Sequence, residues 1–241
     1  MISVNAANCI GHPAPDIDWE GCNKQGIDLQ EANLQQANLA GANLQGANLQ
    51  HANLNNALLN SANLKGANLR GVSSVGTDMR GANLNKANLQ GGASLHHAYL
   101  NNATLVETGL QDCNLTEAQL ENAKLGKANL EGAVLKNADL TKADLKGTNL
   151  KEAYLVGAIL KFASLEEANL SDAYLYVAKL WGVNLKNANL NKTNLAGADL
   201  RGADLQGATL NGANLKNANL SNATWINGQK CQTPSIGKCN F

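Results

Sequence analysis

Between Leu29 and Trp225 a large residue returns at every fifth position, with a small one two places before it, as in Ala42-Asn43-Leu44-Gln45-Gly46. The centres run in fives from Leu29 to Leu89 and again from Leu95 to Trp225, 13 plus 27 or 40 in all, and only Ser74, Met79 and Trp225 are not leucine. A helix cannot use this pattern. At roughly 100° per residue, five residues advance about 500°, so successive leucines would spread around every face. A straight strand fails as well, because a step of five sends alternate leucines to opposite faces. The chain must therefore turn a corner once in every quintet. Ala42 and Leu44 then point inward, Asn43 points out between them, and Gln45-Gly46 makes the bend. Glycine returns at that last position (Gly41, Gly46, Gly66, Gly81, Gly132, Gly147, Gly202), where permissive dihedrals are useful. Repeated corners close into coils, and stacked coils pair each backbone with the coil above and the coil below.

These quintets resemble the A(D/N)LXX pattern of the pentapeptide-repeat family. The resemblance implies an all-β fold, a right-handed quadrilateral parallel β-helix with four quintets per coil; the period alone does not choose four sides over three. Four sides give 40/4 = 10 coils, a rod on the order of 48 Å long at the spacing of paired strands. The expected organisation is an N-terminal cap over 1–25, the β-helix over 26–225 and a C-terminal cap over 226–241. The repeat is disturbed twice. Leucine gives way to Ser74 and Met79, and Gln90-Gly91-Gly92-Ala93-Ser94-Leu95 spends six residues where five are usual. Two glycines suit a bulge that absorbs the extra residue and leaves later coils in register.

Five cysteines bear on compartment. Cys9 and Cys22 lie in the first cap, Cys231 and Cys239 in the second, and Cys113 stands alone where the repeat expects an inward alanine. Of three possible pairings, only Cys9–Cys22 with Cys231–Cys239 avoids joining opposite ends of a rod, and bridged Cα atoms must lie within about 7 Å. The alternative is four free thiols in a reducing compartment. Disulfides imply an oxidising one. Met1-Ile2-Ser3-Val4 has no basic start and no apolar stretch of a secretory signal, so export requires that Met1 stands where a leader was removed; without a leader the location is cytoplasmic. Family members with similar cysteine-bearing ends point, by resemblance, to the periplasm or the thylakoid lumen.

Chemistry is sparse. His96 and His97 are adjacent at a bend, without the cysteine or carboxylate spacing of a metal site, and read as surface residues. Asp139, Asp144, Asp199 and Asp204 occupy the outward slot usually held by asparagine and read as solvated. No catalytic constellation, no cofactor and no metal is expected. Lys+Arg 19 balance Asp+Glu 19, leaving no electrostatic footprint for nucleic acid, and no apolar run is long enough to span a membrane.

The outward slots hold one apolar cluster. A step of 20 moves one coil along a wall, which aligns Val134, Tyr154 and Tyr174, sets Val156 and Tyr176 beside them, and brings Ile159, Phe162, Val177 and Trp181 around the next corner. Exposed aromatics on a rigid wall suit a protein partner or a second copy of the chain; cross-strand stacking for stability alone is the competing explanation. The expectation is a non-enzymatic structural or interaction solenoid. The alternative is a DNA-mimicking inhibitor of a type II topoisomerase, an activity the resemblance allows but the neutral charge disfavours.

Overall fold

A computed structural model describes residues 9–241. Met1-Ile2-Ser3-Val4, on which the expectation of a removed leader rests, lies outside the described residues. The residue before each centre forms a parallel bridge with its counterpart one coil on, and four such columns make the walls of a quadrilateral β-helix. The first wall begins Asp18, Asn38, Leu58 and ends Asp199, Asn219; the second begins at Asn23, the third at Asp28 and the fourth at Asn33.

One quintet explains the stacking. The Leu44 amide donates to the Asn63 carbonyl of the next coil (2.8 Å), and the Asn63 amide donates back to the Ala42 carbonyl (2.9 Å). The Ala47 amide closes the corner on the Leu44 carbonyl (3.0 Å), and the Gly46 amide reaches the Lys65 carbonyl of the next coil (3.0 Å). The corner works because its second residue is left-handed, with φ 65° at Gly46 and 56° at Asn56. Glycine and asparagine tolerate that region, which is why they recur there. Wall asparagines add a turn of their own: the Asn63 side chain accepts the Lys65 amide (3.3 Å) and donates to the Asn43 side chain one coil back (3.2 Å).

The inward alanines and leucines fill a dry axis. Threonine enters it only where its hydroxyl finds a carbonyl: Thr77 donates to Leu54 (2.7 Å) and Thr148 to Leu125 (3.0 Å). Ser74 is fully buried, and its hydroxyl has no partner among the described residues. The six-residue quintet is absorbed at one corner, where Gly91 and Gly92 have φ 77° and 79°. Ser73 pairs with Ser94 across the insertion, and Ser94 with Asn114 in ordinary register.

The ladder reaches back into the stretch assigned to the N-terminal cap. Trp19 fills a centre position there and is fully buried. Lys24 lies 3.8 Å over its ring and donates to the Cys9 carbonyl (2.8 Å); partial burial lowers the Lys24 pKa. Cys9 and Cys22 are at bonding distance, with Cα atoms 5.6 Å apart. At the other end the chain doubles back, pairing Lys230 with Thr224 and Ile236 with Asn219 in antiparallel sense. Cys231 and Cys239 are bonded there, Cα atoms 5.1 Å apart.

Candidate interaction surface

The corner geometry decides what each of the nine apolar wall residues can do. Val134, Tyr154 and Tyr174 follow one another up the fourth wall. Val156, Tyr176 and Val177 sit on the corner between the fourth and first walls. Ile159 lies on the first wall, and Phe162 and Trp181 on its far corner. Tyr154, Phe162, Tyr174, Tyr176, Val177 and Trp181 are each 43–50% exposed, whereas Val134, Val156 and Ile159 are half-buried beneath their neighbours. Tyr154 and Tyr174 stack with centroids 4.8 Å apart and planes within 4°. Phe162 and Trp181 meet at 4.8 Å with planes tilted 56°.

Two of these residues occupy costly positions. Phe162 has φ 58° and Val177 has φ 51°. That conformation disfavours any residue with a β-carbon by about 1–2 kcal/mol, and a β-branched one most of all. Room is made by glycine one coil on. A β-carbon at Gly182 would lie 2.8 Å from the Phe162 ring, and one at Gly197 would lie 3.2 Å from Val177. Trp181 lies beside Gly202, where a β-carbon would be in ordinary contact at 3.8 Å.

The polar groups nearby are largely engaged with one another. Arg201 binds both oxygens of Asp199 (2.8 and 2.7 Å), and this hydrogen-bonded guanidinium holds the Asp199 carboxyl below its ordinary value. Asp139 accepts the Thr141 hydroxyl (2.6 Å). Four lysines border the apolar area: Lys136 below Val156, Lys142 below Phe162, Lys161 below Trp181, and Lys179 beside Val177. None of the four has an ion pair among the described residues.

The remaining sequence candidates lie elsewhere on the solenoid. His96 and His97 have ring centroids 3.8 Å apart; His96 Nδ1 lies 3.0 Å from the Thr116 carbonyl and His97 Nδ1 lies 3.4 Å from Glu117. Cys113 is buried, its thiol donating to the Leu89 carbonyl (2.8 Å). Burial, with a smaller effect of Asp112, pushes its pKa up to about 12.

The match to the family model is continuous. Eight overlapping copies of the pentapeptide-repeat model run from residue 25 to residue 224. The chain belongs to the pentapeptide-repeat family. This pentapeptide-repeat chain is 35% identical to HetL, a pentapeptide repeat protein involved in heterocyst differentiation regulation from the cyanobacterium Nostoc sp. strain PCC 7120; the match covers 85% of this chain and 92% of HetL, with a TM-score of 0.46. It is 17% identical to QnrB1, a plasmid-mediated fluoroquinolone resistance protein, over 80% of this chain and 91% of that one, with a TM-score of 0.54; this likeness is one of fold. A pentapeptide repeat protein from the Arabidopsis thaliana thylakoid lumen is 28% identical over 48% of this chain and 63% of its own, with a TM-score of 0.21. No curated protein matches the chain.

The left-handed backbone at Phe162 and Val177 and the bordering lysines escaped the sequence reading, as did Leu58 and Tyr99, exposed on earlier coils of the first wall with Asp78 between them. The first was recoverable, since both residues stand two places after a leucine, where glycine and asparagine recur.

Proposed function

We propose that this chain is a non-enzymatic interaction scaffold that docks a partner protein on the aromatic wall formed by its fourth and first sides. The observation that carries this reading is the placement of Phe162 and Val177. Both are apolar, exposed, and in a backbone conformation that costs stability. Other corners carry the same left-handed backbone with Glu, Lys, Asp or Asn, so what sets these two apart is the apolar surface they leave exposed. A non-enzymatic role is supported by the wall carboxylates with displaced pKa values. Asp78 and Asp199 are held low by Arg80 and Arg201, and so stay ionised rather than poised to pass protons.

The bonded cysteine pairs at both ends support an extracytoplasmic home, the periplasm or the thylakoid lumen, because such bonds persist in oxidising compartments. The topoisomerase reading is the weaker one: mimicry of DNA requires a strongly negative rod, and the charges balance at 19 each.

The test is the triple variant Tyr154→Asn, Tyr174→Asn, Trp181→Asn. Partner capture from the native compartment should be lost with this variant while the rod remains folded. Unchanged capture and an unchanged sedimentation profile would remove the aromatic wall from the account.

A further inference from the structure

We infer that the solenoid is built as two cooperative units that meet at the coil of Ser74, and that the N-terminal unit, through residue 71, opens while the C-terminal unit, from residue 95, stays folded. Three regularities of the stack hold along its length and fail together at this level. From Ala32 to Ala208 the amide of each inward residue closes its corner on the centre residue before it, except at Thr77 and Ala93. From Glu31 to Gly207 each corner donates an amide to the next coil, except at Gly91-Gly92, where neither amide has an acceptor among the described residues. From Leu29 to Leu220 every centre is leucine or methionine except Ser74, whose buried hydroxyl has no partner among the described residues. Thr77 and Ala93 are also fully buried. A buried polar group left unpaired weakens a fold more than an ordinary hydrogen bond strengthens it.

Threonine is not the cause. Thr108, Thr148 and Thr193 occupy the same inward slot and bond a carbonyl one coil back through their hydroxyls, as Thr77 does. All three still close their corners (3.1–3.2 Å). What sets Thr77 apart is Ser74, the centre residue on which its amide would close, and what sets Ala93 apart is the six-residue corner before it. In a stack each coil is held by its neighbours, so one weak coil divides a cooperative unit into two. The N-terminal unit opens first because it is the shorter. Three rungs of the first wall, Asp18, Asn38 and Leu58, precede Ser74, whereas seven, from Tyr99 to Asn219, follow the insertion. Val134 to Trp181 lie wholly in the C-terminal unit, so opening of the other unit leaves the aromatic wall in place.

The test is hydrogen exchange of the full oxidised chain in rising, sub-denaturing urea, read peptide by peptide by mass spectrometry. Amides of residues 29–71 should become labile together, about tenfold faster than those of residues 95–205, with the step falling between 72 and 94. Ser74→Leu combined with removal of Gly92 restores the regular quintets and should erase the step. Leu160→Ser carries the defect into the C-terminal unit and should create a second step near residue 160, which keeps the inference testable if the repaired chain does not fold. Exchange as one unit throughout, or a smooth gradient rising toward the N-terminal end, would overturn the division. A step that survives in a folded, repaired chain would place its cause elsewhere and also overturn it, as would a Leu160→Ser chain without a second step.

Discussion

The same coils carry two very different walls. On the third, Asn129, Asn149, Asn169 and Asn189 form an unbroken side-chain ladder, the last three amides each donating to the asparagine one coil back (3.0–3.2 Å). Its corner is a charge cluster in which Lys151 meets Glu131 and Glu152. One corner further on, at the same height, Val134, Tyr154 and Tyr174 replace the asparagines, and asparagine pairing returns only above them, where Asn214 donates to Asn194 (3.2 Å). Behind both walls the interior is the same, with Leu150 and Leu155 equally buried. The lining therefore sets the fold, and the wall slots are free to vary without disturbing it. The third wall satisfies itself, whereas the fourth and first leave apolar surface and unpaired cations facing outward.

The largest expected effect tests the shared interior. Leu150→Ala and Leu155→Ala should each cost about 2–5 kcal/mol, and by similar amounts, when unfolding is followed in denaturant. A much smaller loss at Leu155 would mean that the aromatic wall rests on a looser core. A middling effect sharpens the contrast at the corner between the fourth and first walls, where Asn137, Gly157, Val177 and Gly197 follow one another. Val177→Asn should stabilise the rod by about 1 kcal/mol, and Asn137→Val should destabilise it by about 1–2 kcal/mol. Both changes in the same direction would dismiss the backbone argument.

The smallest effect concerns Cys113, behind Asn114 of the fourth wall. Its folded pKa of about 12 lies above the ordinary value of 9.0. The unfolded thiol loses its proton first as pH rises, so the stabilising contribution is complete below about pH 9 and declines between the two values. Cys113→Ala should flatten that alkaline decline, and the native thiol should resist alkylation at neutral pH. Rapid labelling of the folded chain would contradict its burial.

Much of this was legible in the residues. A spacing of five admits neither helix nor flat strand, so corners and the leucine axis followed directly; the four sides came from the family resemblance, and with them adding 20 to Tyr154 found Tyr174. What stayed hidden depends on distances between coils. Asparagine 63 reads as solvated from its slot, yet its amide belongs to a ladder and a turn at once. That Asp199 closes on Arg201 rather than on Lys161 or Lys179 depends on distances between side chains, which periodicity does not report. Trp19 extends the ladder before Leu29, but Lys24 stands at the centre position between them and interrupts the run of large apolar residues.

The decisive measurement pairs two readouts on one protein, the variant carrying Asn at positions 154, 174 and 181. Its thermal midpoint and its partner capture should separate, the first holding within a few degrees of wild type and the second disappearing. A midpoint that collapses while capture persists would make the tyrosines and the tryptophan a brace for the rod, and the claim of an outward-facing binding wall would be wrong.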